Sequence, residues 1–186
     1  DRVVTISRAL TSTTFPCDFM MVAALNPCPC GYRNDPRRDC HCTPPQIEKY
    51  MGKISGPLLD RIDIHVEVPA ADFKELSSTK LGTSSEEIRG KVIEARRAQQ
   101  ARFESTAVSY NAQMSSKQIR EFCPLDNECI NLLRVAVNEM GLSARAHDKV
   151  LRLARTIADL ESSDNIQAHH LNEAINYRML DRDVWK

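Results

Sequence analysis

The hydrophobic period changes once along this chain, near Pro69, and that single change limits the folds open to it. Before it, apolar residues come in short β-like runs at 3–6, 19–25 and 62–68. The middle run, from Phe19 to Leu25, is continuous rather than alternating, as in a strand buried on both faces of a parallel sheet. Residues 3–6 and 13–15 flank a polar turn and predict a hairpin, with Arg8 near its tip. A short helix is expected over 43–53, after Pro44 and Pro45. Beyond Pro69 the spacing is helical. Residues 77–85 read as a polar linker ending in an N-cap at Ser84 or Ser85, with Glu86 and Glu87 in the first turn of a charged helix. Ser115 or Ser116 starts a short helix. Ile130, Leu133, Val137 and Met140 mark another, stopped by Gly141. Val150, Ala154, Ile157 and Leu160 mark the next, from about Ser143, and Leu171, Ala174 and Ile175 the last. The expected fold is α/β plus α: a partial α/β core over 1–70, a linker over 71–85 and a helical lid over 86–186.

A chain of 186 residues with 42% hydrophobic content can bury a substantial core. Its 25 basic and 25 acidic residues cancel, which excludes a strong global field for nucleic acid or membrane and leaves room only for local patches. No run of roughly 18 apolar residues is present, so no membrane span is expected, and a cytoplasmic location is. Because the chain begins at Asp1, it reads as a piece of a longer protein.

Four of the seven cysteines crowd into one stretch: Cys28 and Cys30, nine intervening residues, then Cys40 and Cys42. Two close pairs separated by a short loop can close a tetrahedral thiolate site for Zn2+. Residues 31–39 offer only Tyr32 as a sizeable apolar group, so a metal would supply folding energy that burial cannot. The pairs are tighter than the usual spacing, and His41 could replace one cysteine. Disulfides, which are less suited to a reduced compartment, and free thiols are the alternatives. Cys17, Cys123 and Cys129 are expected as buried or partly buried thiols.

Three segments in order carry a family likeness: Val22-Ala-Ala-Leu-Asn-Pro-Cys-Pro-Cys-Gly31, Ser55-Gly-Pro-Leu-Leu-Asp-Arg-Ile-Asp63, and Leu142-Ser-Ala-Arg-Ala-His147 running into the helix that follows. Together they resemble the magnesium-chelatase-like AAA+ proteins of the ComM/YifB type and, more distantly, minichromosome-maintenance helicases. The likeness implies the C-terminal part of a AAA+ core followed by its lid, in an ATPase that uses ATP and Mg2+ and assembles as a homo-oligomeric ring, a hexamer by family habit. The ComM branch is associated with DNA branch migration during uptake of foreign DNA. Neither the G-x-x-x-x-G-K-[ST] loop nor an acidic Walker B strand occurs in these residues, so this piece alone is expected to be inactive.

By the same likeness Asn26 is the residue that orients the attacking water, Arg61 an arginine finger reaching the neighbouring subunit's nucleotide, Arg145 the second sensor, and Arg8 a pore-facing contact to DNA phosphate. Each has a plainer reading. Asn26-Pro27 is an ordinary turn signal. Arg61 could pair with Asp60 or Asp63. Arg8 could be an exposed hairpin residue, and Arg145 a solvated one. For Arg145, however, a cation at a helix N-terminus opposes the macrodipole, which favours an external anion. Arg33, Arg37 and Arg38 make a second basic cluster, either for nucleic acid or to offset a four-thiolate centre. Arg152 and Arg155 read as solvated or salt-bridged, and His169 and His170 as surface histidines. The rival readings are a zinc-stabilised nucleic-acid-binding or scaffolding module without motor activity, and a chelatase-type subunit.

Overall fold

A computed structural model describes residues 3–69, 77 and 82–178. Its only sheet among the described residues is a two-stranded antiparallel hairpin, β1 (Val3–Arg8) and β2 (Thr11–Pro16). Arg8 pairs with Thr11 at the last rung before the turn, and Ala9 takes a left-handed φ of 49° there. Two short helices follow, α1 (Pro44–Met51) and α2 (Gly56–Leu59), and then the bundle: α3 (Ser85–Arg102), α4 (Ser116–Phe122), α5 (Asn127–Met140), α6 (Ala144–Leu160) and α7 (Ala168–Asn176). Most of the expected linker, 71–76 and 78–81, lies outside the described residues.

The parallel strands expected at 19–25 and 62–68 do not form. Phe19, Met20, Met21, Val22 and Leu25 are exposed and irregular, as are Ile64, Val66 and Val68. A strand is made by its neighbours: without a ladder in register, an apolar run has neither its backbone bonds nor its covering layer. The second run spends some of its backbone polar groups elsewhere. The Ile62 carbonyl accepts from Arg178, and the His65 N–H donates to the Tyr177 carbonyl at 2.9 Å. The described chain is therefore mostly helical, not α/β.

Helix boundaries follow their capping residues. Ser84 accepts from the Glu87 N–H at 3.2 Å, Asp126 from Cys129 at 2.8 Å and Ser143 from Ala146 at 3.1 Å, and Ser115 closes a box with Gln118. Gly141 ends α5 with a φ of 59°, where a side chain would be strained. One contiguous apolar core lies wholly between Phe103 and Ile175. Helix α6 supplies Val150, Leu151, Ala154 and Ile157, and α7 supplies Leu171, Ala174 and Ile175, as the spacing predicts. On α5 the buried face is Cys129, Leu133 and Ala136 rather than Ile130, Leu133 and Val137. Two small side chains let α7 and its preceding loop approach closely, and the Cys129 thiol lies 3.8 Å from the Ile166 carbonyl. Cys123 and Cys129 are buried thiols as expected, both pushed up to about 11 by burial, and Cys17 is half-buried.

A charged cluster ties α3 to α6. Asp159, buried, accepts from Arg102 at 2.8 Å, from Arg155 at 3.1 Å and from Asn111 at 2.7 Å. Arg155 is only 2% exposed and also reaches the carbonyls of Ser163 and Asp164. It is salt-bridged, whereas Arg152 donates to the Met114 carbonyl. Removing one partner of such a pair leaves a buried charge uncompensated, so Asp159→Ala should destabilise the bundle by about 3–5 kcal/mol. Urea unfolding followed by circular dichroism measures this, and a change below roughly 1 kcal/mol would contradict it.

Candidate functional site

Two sets of side chains stand out. The first lies where the loop after α2 meets the bundle. Helix α2 is a single turn, capped by Ser55 on the Leu58 N–H, and it buries nothing of its own. The loop that follows, Asp60 to Asp63, is held from outside. Asp60 accepts from Arg145 at 3.1 Å and from Ser143 at 3.4 Å, both at the start of α6, and lies 3.5 Å from the Arg178 guanidinium. Lys149, one turn further along α6, bonds the Arg61 carbonyl and the Asp63 carboxylate. Residues distant in sequence, the Ser55 to Asp63 segment and the start of α6, thus meet in one place.

This contact brings two of the sequence-predicted residues together. Arg145 is paired to Asp60, the immediate neighbour of Arg61. Arg61 itself is exposed and folds back to donate to the Pro57 carbonyl at 2.7 Å; Asp60 and Asp63 pair with the bundle's cations instead. Asp60 also supplies a local reason for a cation at the α6 N-terminus, since its carboxylate offsets the unfavourable dipole. That pair is weak, because Arg145 is 64% exposed. Asn26 is not part of this cluster. It is exposed, beside Gly31 of the cysteine loop, where a Cβ would lie 4.0 Å from its side-chain carbon. Arg8 is exposed at the end of β1, away from any described partner.

The second set is the cysteine cluster. Cys28, Cys30, Cys40 and Cys42 present their sulfurs within 4.8 Å of one another, and Cys28 is fully buried. Cys28 lies 3.3 Å from Cys30 and 3.7 Å from Cys40, and Cys30 lies 3.6 Å from Cys40. All four are free thiols. A tetrahedron with zinc–sulfur bonds of about 2.3 Å has edges of about 3.8 Å, so this arrangement is close to that of a closed tetrathiolate site. Gly31 makes the turn, at a φ of 86°, and its N–H bonds the Cys28 carbonyl at 3.0 Å. His41 is not among the converging groups.

Thiolates packed this closely divide into two classes. The N–H of Tyr32, above all, stabilises the Cys30 thiolate and brings it down to about 6. Burial works against a Cys28 thiolate, yet hydrogen bonds from Cys40 and the Arg33 and Gly31 N–H groups hold it below the ordinary thiol value. For Cys40 the Cys42 N–H helps the thiolate, but burial and the Cys30 and Cys28 sulfurs raise it. Cys42, helped by the Cys30 N–H, is still pushed up to about 12 by burial and by its three neighbours. A divalent cation would remove this mutual penalty. On the loop, Arg38 stacks on Tyr32 at 5.0 Å and donates to its hydroxyl at 2.8 Å, so one of the three arginines braces the loop.

A third cluster was not legible in the sequence. His169 and His170 both reach one oxygen of Glu161, at 2.9 and 3.0 Å. Only His169 is a surface residue. His170 is fully buried, and its Nδ1 accepts from the Gln167 N–H at 3.0 Å. That bond places the ring proton on Nε2, facing Glu161, so the cluster is a helix cap rather than a metal site. These two histidines, His169 first, hold the Glu161 carboxyl below its usual range. The sequence signal was the spacing of Gln167 and His170, a capping box in an unusual guise.

Comparison with known proteins follows the same division of the chain. Residues 1–76 match the family model described as magnesium chelatase, subunit ChlI, and residues 82–178 match the model of the ChlI C-terminal part. The chain belongs to the magnesium chelatase-like family. Among its relatives are an uncharacterised protein YifB of Escherichia coli K12, 40% identical over 95% of this chain and 34% of that protein, and competence protein ComM of Haemophilus influenzae, 38% identical over 98% and 35%. An uncharacterised protein of Mycobacterium tuberculosis is 32% identical over 96% and 35%. This magnesium chelatase-like chain thus spans about a third of the length of the curated relatives it matches. Among the described residues no helix is long and apolar enough to cross a membrane.

Because the thiolate is the nucleophile, reduced and metal-free protein at pH 7 should be alkylated by iodoacetamide first at Cys30 and last at Cys42 within the cluster. Peptide mass spectrometry after a timed quench reads the order, and equal rates at the four positions would contradict it.

Proposed function

We propose that this chain is the C-terminal portion of a ring-forming AAA+ ATPase that remodels DNA, and that it contributes residues to an ATP site shared between subunits. The observation that carries the reading is the seating of Asp60 on the start of α6, which gathers Arg61 and Arg145 into one cluster. The Arg145 guanidinium is paired only weakly with a carboxylate and that of Arg61 bonds a carbonyl, so both suit a polyanion that arrives from elsewhere. Phosphoryl transfer asks this of a protein: positive charge placed where the γ-phosphate develops its own. Because Arg145 pairs with Asp60, the residue next to Arg61 in the same chain, we expect the two arginines to approach the same triphosphate. If Arg61 reaches across a subunit interface, Arg145 crosses with it. Asn26, which lies apart from this cluster, would orient the attacking water in the assembled protein. ATP and Mg2+ would be held chiefly by parts of the full-length protein beyond these residues.

A cytoplasmic competence role is supported by the likeness to the competence protein ComM. In this reading Arg8, at the end of an exposed hairpin, meets DNA phosphate once per subunit around a ring, which gives a salt-dependent grip. The domain limits 1–70, 71–85 and 86–186 are the units in which we expect core, linker and lid to move.

The cysteine cluster favours an additional element, a structural Zn2+ held by Cys28, Cys30, Cys40 and Cys42. The donor set is all thiolate, the sulfur spacing fits a tetrahedron, and the surrounding loop has little core of its own. Bound there, the ion would offset two of the four thiolate charges and fix the loop beside Asn26. A zinc-stabilised nucleic-acid module without motor activity rests on this cluster alone.

In the full-length protein, Arg61→Ala should lower ATP hydrolysis by about a thousandfold while nucleotide binding changes little. Steady-state hydrolysis and equilibrium titration with an ATP analogue test this, and undiminished hydrolysis would sink the assignment. Purified, reduced protein should carry one equivalent of zinc, lost in a Cys28→Ser variant; less than about half an equivalent in the parent would count against the site. Arg8→Ala should weaken DNA binding and make its salt slope shallower by about one phosphate contact for each chain bound. An unchanged slope would remove Arg8 from the interface.

A further inference from the structure

Resting on the proposed role of Arg61, we infer that Lys149 is the positioning residue for that arginine, coupling the helical bundle to the loop that carries it. Helix α2 has four residues and no buried side chain, so its backbone bonds to Arg61 and Ile62 fix the local turn but not its place against the bundle. The grip comes from cations on the bundle. Lys149 stands one helical turn after Arg145 on the same face of α6, as its i+4 spacing requires. Its ammonium bonds the Arg61 carbonyl at 2.5 Å and the Asp63 carboxylate at 2.8 Å. The Arg61 N–H bonds the Leu58 carbonyl within α2, and Lys149 is the bundle residue that takes the Arg61 carbonyl.

The exposures show which partner is committed. The Lys149 side chain is 12% exposed, whereas Asp63 is 71% exposed. A lysine with four flexible carbons, ordered and largely withdrawn from water, loses rotamer freedom and hydration and must be compensated by fixed acceptors. Arg178, fully buried, takes the next carbonyl, that of Ile62, and faces Asp60 as well. Two cations from the bundle therefore hold consecutive carbonyls, at Arg61 and Ile62. A shift of α6 carries the Arg61 backbone with it. A side chain displaced by about 1 Å from a reacting group can lose about a hundredfold in rate, so this coupling gives the lid control of hydrolysis.

The experiment is steady-state ATP hydrolysis by the full-length protein. Lys149→Met keeps the stem and removes the charge; it should lower kcat at least about tenfold with KM for ATP within about twofold, the signature of a group acting in the transition state and not in binding. Lys149→Arg should recover kcat to within about threefold of the parent, since a cation of similar reach can meet the same acceptors. Asp63→Asn, at an exposed position that does not endanger folding, should lower kcat about threefold, again without moving KM. Arg61→Ala runs alongside. If that variant loses hydrolysis but Lys149→Met and Asp63→Asn keep kcat within twofold, or raise KM with kcat intact, the positioning role is overturned and the arginine assignment stands. If Arg61→Ala hydrolyses ATP fully, the parent reading fails and the positioning role falls with it.

Discussion

Asp60 is the centre of the polar joint between the two halves of this chain. It takes hydrogen bonds from Ser143 and Arg145 at the beginning of one helix and lies within an ion pair of Arg178 just beyond the end of another. The apolar core stops at Phe103 on one side and includes nothing from the first hundred residues. Hydrophobic burial therefore orders the bundle but not its attachment to the preceding segment. That attachment is electrostatic and hydrogen-bonded, made by Asp60, Lys149, Arg178 and the His65 N–H. Contacts of this kind are individually weak when exposed and gain strength where a partner is buried, as Arg178 is. The joint is thus firm at its buried end and yielding at Arg145.

Two ordering principles coexist. Residues 85–175 fold as an amphipathic bundle whose polar interior, centred on Asp159, is satisfied by two arginines and an asparagine. The cysteine loop has almost no apolar content and instead converges four sulfurs, with backbone N–H groups of Tyr32, Arg33 and Gly31 directed at them. The first solution is self-sufficient, while the second leaves four thiols crowded together.

Much of the bundle was legible in the sequence because its signals are local. Ser84, Ser115 and Ser143 sit where their hydroxyls meet orphan N–H groups, Gly141 supplies the left-handed stop, and the apolar stripes of α6 and α7 repeat at helical spacing. The hairpin was legible for the same reason. The stripe of α5 was misplaced by one position, because small residues such as Cys129 and Ala136 are chosen by how closely helices pack and not by hydrophobicity. Phe19 to Leu25 was misread as a formed strand, since a strand's existence depends on neighbours that a one-dimensional pattern does not reveal. The four cysteines were found from spacing alone, whereas the union of Asp60 with Arg145 spans 85 positions and only the family likeness placed those segments at one site. His170 was taken for a surface residue because nothing in its neighbourhood announces the bond to Glu161, nine positions away.

The central claim, that Arg61 and Arg145 of one chain serve one nucleotide, is tested most directly by a structure of the full-length protein bound to a non-hydrolysable ATP analogue. The account predicts both guanidinium groups within about 4 Å of phosphate oxygens of the same nucleotide, with Asp60 released from Arg145 but still facing Arg178. A map in which the two arginines meet different nucleotides, or in which either remains turned to solvent while the triphosphate is bound, would contradict it.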